Sequence, residues 1–130
     1  MPDRSIVLQI ASFGIVGLIA TITHIMIAWT ASSALGTHFA LSNLIGAIAG
    51  FVLSFFGNAC VTFRTPQSLI RSAPRYFLLM IVSFILTSAI MAFVESHDLP
   101  LSLYALMVLC VVPPTSFLLA KLWVFAPGSR

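Results

Sequence analysis

Four apolar stretches, at residues 6–30, 39–61, 76–94 and 101–125, take up most of a 130-residue chain and leave it few ways to fold. Each reaches or approaches the ~20 residues with which a helix crosses ~30 Å of hydrocarbon. Lipid offers backbone amides no partner outside their own segment, so each stretch is predicted to be a helix. The chain is 60% hydrophobic and 7% charged, which is too little polar surface for a soluble domain of this length. The predicted class is an all-α integral membrane protein with four transmembrane helices, residues 1–130 forming a single transmembrane domain. The breaks carry turn chemistry: Gly36 in 33–38, Pro66 and Pro74 in 62–75, and a short polar link at 95–100. The first stretch is about twice as long as the apolar region of a secretory signal, so it is predicted to stay as a span.

The cations give the topology. Arg4 precedes the first span, Arg64, Arg71 and Arg75 lie between the second and third, and Lys121 and Arg130 close the fourth. Four crossings put all six on one face, which the positive-inside rule makes cytoplasmic, together with both termini. His38, Glu95 and Asp98 then lie on the other face. Trp29 and Tyr104 fall at the predicted outer boundary and Tyr76 and Trp123 at the inner one, as amphipathic rings do at membrane interfaces. The net charge of +3 comes from single cations beside apolar runs, which suits anionic lipid headgroups rather than nucleic acid. Cys60 and Cys110 sit inside apolar runs and form neither a disulfide framework nor a zinc spacing.

The two halves repeat. Ile10-Ala11-Ser12-Phe13 matches Ile81-Val82-Ser83-Phe84. Ser54-Phe55 followed by Val61-Thr62-Phe63 matches Ser116-Phe117 followed by Trp123-Val124-Phe125 at identical spacing. Each copy, about 4–65 and 75–126, is therefore a helical hairpin. A hairpin crosses twice, so the copies form a parallel repeat about an axis along the membrane normal.

Four spans doubled as two hairpins, each with an aromatic-Val/Thr-Phe exit, resemble the GtrA-like family over essentially the whole chain. Asn58 with Val61-Thr62-Phe63 is similar to the first family exit, and Lys121 with Trp123-Val124-Phe125 to the second. The resemblance implies translocation of polyprenyl-phosphate-linked sugars across the bacterial plasma membrane for modification of cell-surface polysaccharide. Family exits pair an Asn with a nearby basic residue. Here the first exit has Asn58 followed by Ala59 and Cys60, whereas the second has Lys121 preceded by Ala120.

Several residues could carry this chemistry. Arg64, Arg71, Arg75 and Lys121 surround the exits, and beside their topogenic role a guanidinium matches a lipid phosphate bidentately. Asn58 joins them as a headgroup candidate. Ser42, Gly46, Gly50, Ser54 and Asn58 recur four apart on one helical face, with Asn43 beside them. This seam reads either as close helix packing or as a polar path for a headgroup, and an exposed seam would also serve a homodimer or larger assembly. Pro113 and Pro114 remove the amides that would pair with the Leu109 and Cys110 carbonyls, which predicts a kink or unwound stretch with Thr115 or Ser116 re-satisfying part of it. His24 is an intramembrane ionisable group, either functional or hydrogen-bonded to a neighbouring helix.

No Asp or Glu lies within a span, and there is no metal-ligand cluster, phosphate loop or nucleophile–base pair. The chain is predicted to be no enzyme and to need no metal or cofactor. Its predicted partners are membrane lipid, a polyprenyl-phosphate-linked sugar and a membrane glycosyltransferase. Two other functions remain open. One is a small-molecule exporter of the small multidrug resistance type, whose proton coupling needs a membrane-embedded glutamate that this chain lacks. The other is a scaffold that positions a glycosyltransferase without transporting anything.

Overall fold

The computed structural model describes residues 5–65 and 68–126, with Phe39 placed by its backbone alone. Arg4, Pro66 and Arg130, which figure in the predicted topology, lie outside the described residues. The chain divides into two compact units, Met1–Arg64 and Thr65–Arg130, and each is a helical hairpin. The first pairs α1 (Ile6–Leu35) with α2 (Phe39–Gly57), and the second pairs α3 (Leu69–Ser96) with α4 (Leu101–Leu119). No strand occurs among the described residues.

The helices form because nearly every residue in them tolerates lipid. Among α1's 30 residues, Val16, Ala20 and Ala31 are buried, whereas Ile15, Leu18, Ile22, Ile25 and Met26 are exposed. Such a perimeter in water would far exceed the few hundred Å² of contiguous apolar surface that a soluble monomer presents. In lipid it costs nothing. All four helices are long and apolar enough to cross a membrane.

Local signals set the ends. Ser5 caps α1 by accepting from the Leu8 N–H at 3.4 Å. Gly36 stops it in the left-handed region (φ 63°), its N–H satisfying the Ala31 carbonyl. A Cβ at Gly36 would meet nothing within 4 Å, so the penalty for Gly36→Ala is conformational. That substitution is expected to cost about 1–2 kcal/mol, read as a lower unfolding midpoint in mixed SDS micelles.

Four features differ from expectation. Residues 69–75 are helical, although Pro66 and Pro74 in the sequence predict a loop over 62–75. As the sixth residue of α3, Pro74 deprives only the Ile70 carbonyl of its helical partner, and the Ser68 carbonyl still receives the Arg71 and Ser72 amides. α4 runs through Pro113 and Pro114 as continuous helix, with no unwound stretch. Proline's fixed φ is itself helical, so two lost bonds need not unwind it. The Ser116 hydroxyl, expected to bond locally, instead pairs with Ser83 of α3 at 2.9 Å. Tyr76 turns its ring inward rather than outward, being 2% exposed and packed on Phe125 with ring centroids 5.7 Å apart.

Candidate functional site

Each hairpin's second helix widens into a π turn before it ends. Asn58–Thr62 follows α2, and Ala120–Val124 follows α4. The closing bonds run from the Phe63 N–H to the Asn58 carbonyl (2.9 Å) and from the Phe125 N–H to the Ala120 carbonyl (2.8 Å). These turns occupy matching positions in the two copies of the repeat. A π turn inserts one residue into the helical ladder, a distortion common at functional sites. The terminal phenylalanines anchor both: Phe63 packs edge-on against Phe13 of α1 (6.2 Å), and Phe125 packs on Tyr76 of α3.

The two exits differ in chemistry. In the first, Asn58 is 1% exposed. Its Nδ2 donates to the Ser54 carbonyl at 2.9 Å and lies 3.4 Å from Ser54 Oγ, while its Oδ1 accepts from Thr62 Oγ1 at 3.0 Å. This ladder is buried, uncharged and turned inward. The seam that continues it, offered by the sequence as a possible exposed assembly face, is also consumed inside the hairpin. Gly46 lies so close to α1 that a Cβ there would sit 2.5 Å from the His24 carbonyl oxygen. At Gly50 a Cβ would sit 3.0 Å from the Ala20 carbonyl oxygen, and at Gly57 2.7 Å from Val16 Cγ1. Small residues let two backbones approach where lipid supplies no hydrophobic drive. Ser42 is buried as well, its hydroxyl bonded to Thr37 and to the His38 carbonyl.

The second exit is cationic. Ala120 stands in place of Asn58, Lys121 in place of Ala59, and Val124 in place of Thr62. The Arg75 guanidinium reaches across from α3, Nη1 donating to the Trp123 carbonyl at 3.4 Å. Because residues 69–75 are helical, Arg71 lies one turn before Arg75 on the same face of α3. The hairpin's carboxylates, Glu95 and Asp98, lie about 30 Å away along α3, close to a full hydrocarbon thickness. Of the four candidate cations, the fold thus groups Arg71, Arg75 and Lys121 around one exit. Arg64 belongs to the other unit, exposed and held in the left-handed region at φ 46°.

A family model for the GtrA/DPMS transmembrane domain matches residues 12–125. The chain belongs to this family. The match takes in α1 from Ser12 onward, the other three helices and both π turns. No curated protein and no solved structure matches the chain. As a GtrA/DPMS-family protein it is a multi-pass membrane protein associated with sugars on glycosyl carrier lipids.

Three features of this family member are hidden in its sequence. The π turns leave no compositional trace, although the repeated aromatic-Val/Thr-Phe spacing marks where they fall. The bond from Arg75 to Trp123 requires α3 to begin before Pro74. For His24 the sequence offers a hydrogen bond to a neighbouring helix as one of two readings, and the structure shows that bond; what stays hidden is the partner, Asn43 of α2, whose Oδ1 lies 3.0 Å from Nε2. The turn at Gly36 is the signal that could have brought them together, since it folds α2 back along α1.

Proposed function

We propose that this protein moves a polyprenyl-phosphate-linked sugar across the bacterial plasma membrane for modification of cell-surface polysaccharide. The observation that carries this reading is the hydrogen bond from Arg75 to the Trp123 carbonyl, which holds a guanidinium against the π turn that bears Lys121. A planar guanidinium fork suits a phosphate, and Lys121 on the same π turn and Arg71 one helical turn away add two more cations. With the cations on the cytoplasmic face, this exit lies at the depth where a carrier lipid presents its phosphate. The prenyl tail stays in lipid throughout. Beside the first exit's neutral Ser54–Asn58–Thr62 ladder stands Arg64, whereas the second exit has Arg71, Arg75 and Lys121, so phosphate binding is assigned to the second hairpin.

A membrane glycosyltransferase that uses the delivered sugar is the natural partner, and the chain itself acts without catalysis. Four helices enclose little interior, which supports assembly with a second copy even though the glycine seam is spent within the hairpin. Proton-coupled export has no support, because the one carboxylate in a described span, Glu95, sits at the very end of α3 rather than inside the bilayer.

The test is reconstitution into liposomes with a polyprenyl-phosphate hexose. Arg75→Ala/Lys121→Ala protein is expected to translocate at least about ten-fold more slowly than wild type, the loss of roughly one charge-assisted hydrogen bond or more. Equal rates would remove the phosphate site. Absence of translocation by the wild type would favour the scaffold.

A further inference from the structure

A sugar carried on a prenyl phosphate begins one bridging oxygen from the phosphorus, so whatever holds the ring must adjoin the groups that hold the phosphate. At the second exit, one side chain beside the cations has the right chemistry. Arg75 Nη1 lies 3.4 Å from the carbonyl of Trp123, which fixes the guanidinium against the backbone that bears this indole. Trp123 is 41% exposed, and no other ring packs on it among the described residues. Its neighbours in the turn are already committed, Ala120 and Val124 to the interior and the Phe125 ring to Tyr76. Val61 stands at the matching position of the first exit, whose π turn bears no cation. The copy of the repeat that gathers the cations is thus the copy that gains the indole.

An indole at this place has two uses. As an interfacial anchor it sets the depth of the helix end and is indifferent to what a phosphate carries. As a platform it covers the apolar face of a pyranose, taking C–H groups out of water while the hydroxyls stay hydrated at the membrane surface. The bond from Arg75 favours the platform. An anchor needs no cation tied to its own carbonyl, and Trp29, 71% exposed on a helix without any Lys or Arg, has none. A ring linked to a phosphate on the Arg75 guanidinium, by contrast, cannot leave the neighbourhood of Trp123. We infer that Trp123 is the specificity-determining residue for the sugar, the surface on which a neutral pyranose is recognised while Arg75 holds its phosphate. This rests on the carrier-lipid reading and deepens it, giving phosphate and sugar adjoining contacts in one exit.

Two lipids of equal charge test it. One is a polyprenyl-phosphate hexose, and the other is the methyl diester of the same prenyl phosphate, which keeps the charge and lacks the ring. Full-length protein in nanodiscs is titrated with each lipid in radiolabelled form. Wild type is expected to prefer the hexose diester, and Trp123→Leu should narrow that preference about ten-fold. Trp123→Phe should keep most of it, since a phenyl ring still covers a pyranose face. Trp29→Leu should leave the ratio as it is. The chain has two tryptophans, so Trp29→Phe makes Trp123 the sole reporter. Its emission should change saturably with the hexose diester and far less with the methyl diester. That measurement needs no substitution at position 123 and stands if Trp123→Leu fails to fold.

The inference is overturned if wild type binds the two diesters equally, if Trp123→Leu keeps the wild-type ratio, or if both diesters change Trp123 emission alike. An indole that serves only as an anchor gives the last two results. A Trp29→Leu protein whose ratio narrows as much would have the same consequence, because the effect would then follow the loss of any indole. The two readings fail separately. Equal binding of both diesters that Arg75→Ala weakens removes the platform and leaves the phosphate site standing, whereas binding of neither diester by wild type removes both.

Discussion

Gly46→Ala is expected to break the packing of the first hairpin at a cost of about 3 kcal/mol, near the top of the range for an overpacked core. The added Cβ would stand 2.5 Å from the His24 carbonyl oxygen, 2.6 Å from His24 Cδ2 and 2.9 Å from the Ala28 Cβ. Two of these are fixed to the α1 backbone and cannot rotate away. Relief therefore requires α1 and α2 to separate, which also breaks the His24–Asn43 bond. Lipid supplies no hydrophobic drive to hold the helices together once the contact opens.

The other glycines turn this into a graded series. Gly50→Ala should cost less, since its Cβ would lie 3.0 Å from the Ala20 carbonyl oxygen and 3.1 Å from the His24 Cβ. Gly14→Ala and Gly17→Ala meet nothing within 4 Å and should be neutral or stabilising by about 0.5–1 kcal/mol through helix propensity. Unfolding midpoints in mixed SDS micelles provide the ranking. A Gly46→Ala protein as stable as Gly14→Ala would mean that α1 and α2 do not pack through this seam.

The four helices were legible because insertion into lipid depends on side-chain polarity summed over a span, and that sum is written in the sequence. The paired exits were legible for a related reason, as their motif recurs at the spacing that separates the two π turns. What hydropathy cannot encode is which face of a span meets protein and which meets lipid. Gly46 and Gly50 show this, since a small-residue seam looks the same whether it faces α1 or a second copy. Asn58 was read as a headgroup ligand from its residue type, yet its partners Ser54 and Thr62 lie four residues to either side on its own helix. Tyr76 is amphipathic by composition but buried because Phe125 folds back onto it. Pro74 marks a helix break by residue type, yet so near the N-terminus of α3 few bonds remain to be lost, and the helix starts before it.

Substitution of Asn58 separates architecture from substrate binding. Asn58→Asp is expected to destabilise the first hairpin by about 3–5 kcal/mol, the cost of an uncompensated buried charge. The carboxylate would replace an N–H donor with an oxygen facing the Ser54 carbonyl at 2.9 Å, acceptor against acceptor, at a site only 1% exposed. Asn58→Ala is expected to cost about 1–3 kcal/mol, because the Thr62 hydroxyl loses its acceptor while the Ser54 carbonyl gains no repulsive neighbour. It also gives the first exit the residue that Ala120 already supplies in the second, where a π turn forms without any such ladder. The π turn should therefore survive in the alanine variant, and translocation should fall no further than stability does. An Asn58→Ala protein that kept wild-type stability but lost translocation would instead make this side chain a contact for the substrate, and the buried ladder would no longer account for its presence.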